Sequence, residues 1–218
     1  MQLKCNGVSL YYKKSGSGPP LLLLHGNGET HELFAEITTK LSRHRTVYAI
    51  DSRNHGQSTK NVATSYQAMC DDVAAFIAVL QLEDVTILGF SDGAIIGLLL
   101  GLAQQPQLKQ LLLLGLNLTP ADFKPAVRAL LQLEYRQTND PLIQLMLEEP
   151  QIELEQLTTM TIPTLIVAGE NDVCEPVFFE QVTAVLPNAQ LLVLPGETHS
   201  SYIEHTDRLY PNLLPYLR

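Results

Sequence analysis

The 218-residue chain predicts an α/β fold: a mostly parallel, doubly wound sheet with an N-terminal antiparallel hairpin and a short helical insertion. Three observations lead there. Short apolar runs rich in leucine, valine and isoleucine alternate with segments of helical spacing, as expected of strands buried on both faces and joined by crossover helices. One such run, Val85 to Phe90, passes through Gly89-Phe90-Ser91-Asp92-Gly93 straight into an apolar helix-like stretch. The alternation then stops once, between about Thr119 and Thr161, and resumes.

Residues 2–14 alternate around Asn6-Gly7, a hairpin signal. Leu21 to Leu24 is a continuous apolar strand that stops at His25-Gly26-Asn27-Gly28. Helical spacing follows over 31–43 through Leu33, Phe34, Ile37 and Leu41. Thr46 to Ile50 is a strand leading into Asp51-Ser52-Arg53-Asn54-His55-Gly56-Gln57-Ser58. A helix is expected over 65–82, a strand over 85–90, an apolar helix over 92–104 and a strand over 110–114. The stretch 119–160 carries four prolines, reads as two or three helices without a strand, and is taken as an insertion between 1–118 and 161–218. After it come a strand over 164–168 ending in Gly169-Glu170-Asn171-Asp172, a helix over 177–186, a strand over 190–194 ending before His199, and a closing helix over 201–217.

Apolar residues make up 45% of the chain and charged residues 17%, a globular composition. A net charge of −9 disfavours a nucleic-acid or anionic-membrane partner. Cys5, Cys70 and Cys174 are odd in number and far apart, which fits free thiols in a reducing compartment. The N-terminus has no apolar signal core and no run is long enough to span a bilayer, so a cytoplasmic protein is expected. No metal-ligand spacing, phosphate loop or dinucleotide fingerprint occurs, so no metal and no cofactor is expected.

Open parallel sheets carry their sites at the carboxyl ends of the strands. Those ends present His25 to Gly28, Asp51, Ser91, Asp172 and His199. A serine hydroxyl needs a neutral imidazole to take its proton, and that imidazole needs a carboxylate to set its tautomer. Ser91, Asp172 and His199 each follow a strand, in that chain order. Glu170 is a competing carboxylate and His205 a competing imidazole.

With those motifs in hand, the sequence resembles the α/β-hydrolase superfamily over nearly its whole length. The resemblance rests on His25 to Gly28, Asp51 to Ser58, Gly89 to Gly93, Gly169 to Asp172 and Gly196 to His199. It departs from the family at Thr198, where glycine usually precedes the histidine. It implies a serine hydrolase that cleaves a small carboxylic ester or related acyl bond, with Ser91, Asp172 and His199 as its triad. The oxyanion hole would be the backbone N–H groups of Asn27 and Asp92, and 119–160 would be a short cap. The loop 51–58 would be structural. Candidate substrate contacts are His25, Asp92, Phe123 and Leu130. His25 has a competing role as a tie between loops. The Asp92 carboxylate either caps the following helix or faces a substrate amine, as in some similar elbows of enzymes that cleave amino-acid esters. A thioesterase or a C–C hydrolase or lyase would use the same triad, and a ligand-binding receptor would keep the fold with little turnover. The partner is an ester-like small molecule, and no oligomeric state follows.

Overall fold

The computed structural model describes residues 1–217. Eight strands form one sheet in the order β1-β2-β4-β3-β5-β6-β7-β8. They are β1 (Gln2–Cys5), β2 (Val8–Ser15), β3 (Pro20–Leu24), β4 (Thr46–Ile50), β5 (Val85–Phe90), β6 (Leu108–Leu114), β7 (Thr164–Asn171) and β8 (Ala189–Thr198). The first two pair antiparallel, β2 pairs antiparallel with β4, and all other pairs are parallel. The hairpin turns on Asn6 and Gly7 at φ 45° and 77°, the left-handed pair that a tight two-residue turn needs.

Alternate residues of the central strands enter two cores. Leu22, Leu24, Ile87, Leu111, Leu113 and Ile166 face the layer containing α2 (Tyr66–Val79), α3 (Asp92–Leu102) and α6 (Pro176–Val185). Leu21, Leu23, Leu88, Leu112, Leu114 and Leu165 face α1 (Ala35–Leu41) and the C-terminal segment. Each such side chain, fully withdrawn from water, contributes about 1.5–3 kcal/mol. Helix α3 is buried along most of its length, as its unbroken apolar sequence requires.

The chain leaves β3 for β4 on one side and returns to β5 on the other, so the strand order reverses at β3 and β5. Their carboxyl ends flank the crevice where open sheets bind ligands. Above it, between β6 and β7, lie α4 (Pro125–Thr138) and α5 (Pro141–Glu148) with two 3-10 turns.

The expected helix over 31–43 opens as a 3-10 turn, His31–Phe34, before α1. The expected closing helix is not continuous. Turns occupy 200–208, and only α7 (Tyr210–Leu213) and a 3-10 turn, Leu214–Tyr216, are helical. Pro215 cannot donate to a helical ladder, while the four-residue spacing of Leu209, Leu213 and Leu217 still reaches the core. Strand β8 runs on through Pro195, which an edge strand tolerates.

Candidate active site

Ser91 stands between β5 and α3 at φ 52°, ψ −114°, a conformation that L residues rarely adopt. Side chains at either flank have no room. A Cβ on Gly89 would overlap the Gly93 carbonyl, and one on Gly93 would overlap the carbonyl of Leu24 in β3. The elbow therefore packs against the β3 strand end, next to the 25–28 loop.

His199 follows β8, and its Nδ1 lies 2.6 Å from Asp172 Oδ1. Asp172 is buried and rigidly held, accepting the Val173 N–H on Oδ1 at 2.8 Å and the Gly169 N–H on Oδ2 at 3.0 Å. The imidazole packs 4.9 Å from the Phe90 ring. Gly115, after β6, makes room for it, since a Cβ there would come within 2.6 Å of His199 Cε1. The competing groups are engaged elsewhere. Glu170 accepts the Gly196 N–H at 2.7 Å, and His205 sits in a turn at φ 47°, not in a helix, donating its N–H to the Leu33 carbonyl.

In the 25–28 loop, the Gly26 N–H donates to Glu29 Oε2 at 2.9 Å and the Gly28 N–H to His55 Nε2 at 3.1 Å. The Asn27 N–H between them has no partner among the described residues. The side chains of Asn27 and Asp92 bond each other, Nδ2 to Oδ2 at 3.0 Å. Tyr66 donates its hydroxyl to Asp92 Oδ1 at 2.7 Å, and Asn27 Nδ2 also reaches the Leu142 carbonyl in α5 at 3.0 Å. Burial raises the Asp92 carboxyl above its ordinary range, against the hydrogen bonds from Tyr66 and Asn27. Burial, reinforced by Asp92, keeps Tyr66 protonated far above its usual range, so it serves as donor. Asp92 thus neither caps α3 nor stands free to meet a substrate amine.

One cavity of about 270 Å³ joins these groups. Ser91, His199, Asn27, Asp92 and Glu29 line one side, and Phe123, Val127, Leu131 and Met146 line the other. Larger depressions, of about 490 and 520 Å³, lie elsewhere and contain neither a histidine nor a cysteine. Two expected contacts are corrected. Leu130 is 66% exposed because α4 turns Leu131 inward instead. His25 is buried below the floor, its Nδ1 donating to the Gly26 carbonyl and its Nε2 accepting the Ser52 N–H. Burial, aided by His55, lowers its pKa to about 4, so it stays neutral and ties loops together.

The 51–58 loop does the same. Asp51 accepts N–H groups of His31 and Gln57 and the His31 ring, which together outweigh its burial and hold its carboxyl low. Arg53 grips Asp72 through two bonds of 2.6 Å. The three cysteines are buried, and burial pushes the Cys174 thiol well above its ordinary value, so it is unreactive. Among the described residues, no group of three or more His, Cys, Asp or Glu is placed to hold a metal ion, and no helix is long and apolar enough to cross a membrane. Glu29, Tyr66 and Gly115 were not singled out from sequence. Only Glu29, one residue past the Gly26-Asn27-Gly28 loop, left any local signal.

Residues 19–139 match the family described as alpha/beta hydrolase fold. That stretch contains the 25–28 loop and Ser91 but neither Asp172 nor His199. The Mycobacterium tuberculosis protein Rv2715 is 37% identical over 111 residues, 50% of this chain and 32% of that protein. An sn-1-specific diacylglycerol lipase, ABHD11, of Xenopus laevis is 34% identical over 116 residues, 52% of this chain and 36% of the lipase. The matches thus span about a third of the length of these curated relatives. Among solved structures, the enol-lactonase from Burkholderia xenovorans LB400 superposes with a TM-score of 0.83 at 17% identity, covering 100% of this chain and 99% of that one.

Proposed function

The chain belongs to the α/β-hydrolase fold family, and from that premise we propose that it is a serine hydrolase of a small carboxylic ester or related acyl bond. One observation carries the proposal: a serine on a strained elbow shares a cavity with an imidazole whose Nδ1 is held by a buried carboxylate. The diacylglycerol lipase relative, named for ester cleavage, supports the same chemistry.

Ser91 Oγ attacks the carbonyl carbon as His199 Nε2 takes its proton, and Asp172 holds Nδ1–H and stabilises the imidazolium. The N–H groups of Asn27 and Asp92 receive the developing oxyanion; one such donor is typically worth about 3–4 kcal/mol in the transition state. The C–O bond breaks as His199 returns the proton to the leaving alcohol. Water, deprotonated by His199, then attacks the acyl-enzyme, and the acid departs as the proton returns to Ser91. The segment 119–160 acts as a short cap whose apolar side chains take the hydrocarbon part of the substrate. A cavity of about 270 Å³ suits a short chain.

The test is p-nitrophenyl acetate turnover. A burst of nitrophenolate is expected, absent in Ser91→Ala, together with labelling of Ser91 by a fluorophosphonate. Undiminished turnover in Ser91→Ala overturns the proposal.

A further inference from the structure

Two carboxyl groups line the cavity, and they are not equivalent. Asp92 has both oxygens engaged, by Tyr66 and Asn27. Glu29 has one engaged: Oε2 accepts the Gly26 N–H, while Oε1 has no partner among the described residues. Accepting a single N–H would not require a charge, since a glutamine oxygen does the same. The loop is also closed by the main chain, with the Glu29 N–H donating to the Gly26 carbonyl at 3.3 Å. Loop closure therefore accounts for one oxygen and leaves the charge unexplained. A partly buried carboxylate without a cation is unfavourable, and among the described residues no lysine or arginine lines this cavity. Glu29 also stands beside the nucleophile: a Cβ built on Gly26 would lie 2.9 Å from Glu29 Oε2 and 3.1 Å from Ser91 Cβ.

We infer that the site takes acyl esters bearing a positively charged ammonium group, which pairs with Glu29 Oε1 while the hydrocarbon part lies against Phe123, Val127 and Leu131. This rests on Ser91 being the nucleophile. The surroundings agree. Burial raises the Glu29 carboxyl to about 7, against the Gly26 N–H; Glu204 and Asp92 add to the rise and His199 opposes it. Glu204 accepts the Ser200 hydroxyl, Asp92 is held by Tyr66 and Asn27, and His199 is paired with Asp172. None of them is a standing counter-ion for Glu29, and an arriving ammonium would favour its ionised form.

The test compares charged esters with their carbon isosteres. One pair is the trimethylammonioethyl and 3,3-dimethylbutyl esters of butyric acid. The other is the p-nitrophenyl esters of 4-trimethylammoniobutyric and 5,5-dimethylhexanoic acid. In at least one pair, kcat/KM should favour the cation by about tenfold or more at pH 8. The ratio should fall toward one by pH 5.5, as Glu29 takes up its proton. Glu29→Gln should bring the pH 8 ratio near one, and Glu29→Asp should retain part of it; because the readout is a ratio, any general effect on the oxyanion loop cancels. Calorimetry with the non-hydrolysable butyl ethers of choline and of 3,3-dimethylbutanol reads the same preference without turnover. Ratios within twofold of one in both pairs and in binding overturn the inference, as does a preference that survives Glu29→Gln. Charge-selective binding with no ester hydrolysed overturns the role of Ser91, and with it esters as the substrates, while the pairing of Glu29 with an ammonium group stands.

Discussion

The floor and the roof of the cavity are held by different forces. The floor is built from strand ends and from buried or part-buried hydrogen bonds: Asp172 to His199, Tyr66 to Asp92, and Asn27 to Asp92. The roof is α4 and α5, and α4 buries none of its side chains fully. It meets the cavity through Val127 and Leu131 while Leu130 and Leu133 face solvent. A reacting group must be held to a fraction of an ångström, which directional bonds accomplish. A wall that excludes water and receives a hydrocarbon chain needs area, not angle. The two are joined by hydrogen bonds at several points: Asn27 Nδ2 to the Leu142 carbonyl, Lys124 Nζ to the Asp172 carbonyl, and the Tyr66 N–H to Glu149 Oε2.

The largest loss is expected at the base of the floor. Asp172→Asn keeps the volume but removes the charge that holds His199 Nδ1–H, so kcat should fall by about 10³- to 10⁴-fold. The fold should survive, because the amide oxygen can still accept a backbone N–H. Steady-state kinetics within tenfold of the parent would show that this floor is not the catalytic one.

A smaller loss is expected one step further out. Tyr66→Phe deletes the hydroxyl on Asp92 Oδ1 and leaves a buried carboxylate with one partner. We expect kcat to fall about tenfold with KM within twofold, because the Asn27–Asp92 pair, whose N–H groups we propose receive the oxyanion, loses the hydroxyl that fixes it from behind. Stability should fall by about 1–3 kcal/mol, measured by urea unfolding. A rise in KM at unchanged kcat would place Asp92 in the binding of substrate and not in its activation.

Tyr66 marks the limit of what the sequence discloses. The elbow, the hairpin and the strand–helix alternation were legible because each is written in local turn chemistry or periodicity, as at Asn6-Gly7 and Gly89 to Gly93. The order of Ser91, Asp172 and His199 could be read for the same reason: each closes a strand. The Tyr66–Asp92 bond spans 26 positions and leaves no local trace. The closing helix was misjudged because its leucine spacing is helical while its prolines are not. Helix α4 carries apolar residues on more than one face, so its sequence does not fix its phase against the cavity, and the expected Leu130 lies one residue away from Leu131, which lines it.

Glu29 is the floor's exception, and its titration gives a test of stability. Its ordinary pKa of 4.5 is raised to about 7 in the fold, chiefly by burial. A carboxyl whose folded value is raised favours the native state below its unfolded pKa, and that contribution is lost as pH rises through the folded value. At pH 8, therefore, Glu29→Gln should melt higher than the parent, by about 2–4 °C for each kcal/mol recovered. The gap should close between pH 7 and 4.5. A variant that melts lower at pH 8 would mean that the loop bond to Gly26 needs the charge, and the floor would have no exception.

The finest test compares two adjacent leucines of the roof. Successive residues on a helix lie about 100° apart, so Leu130 and Leu131 cannot both face the substrate. Leu131→Ala removes apolar wall, and kcat/KM for a hexanoate ester should fall about three- to tenfold, with a smaller change for acetate, in keeping with about 0.8 kcal/mol per methylene buried. Leu130→Ala removes a side chain that is 66% exposed. It should change neither ester's kcat/KM beyond twofold, nor stability by more than about 0.5 kcal/mol. If Leu130→Ala were the damaging change, α4 would meet substrate through its other face during turnover. The roof would then be a moving part above a rigid floor, with Asn27 to Leu142 among the bonds that break when it moves.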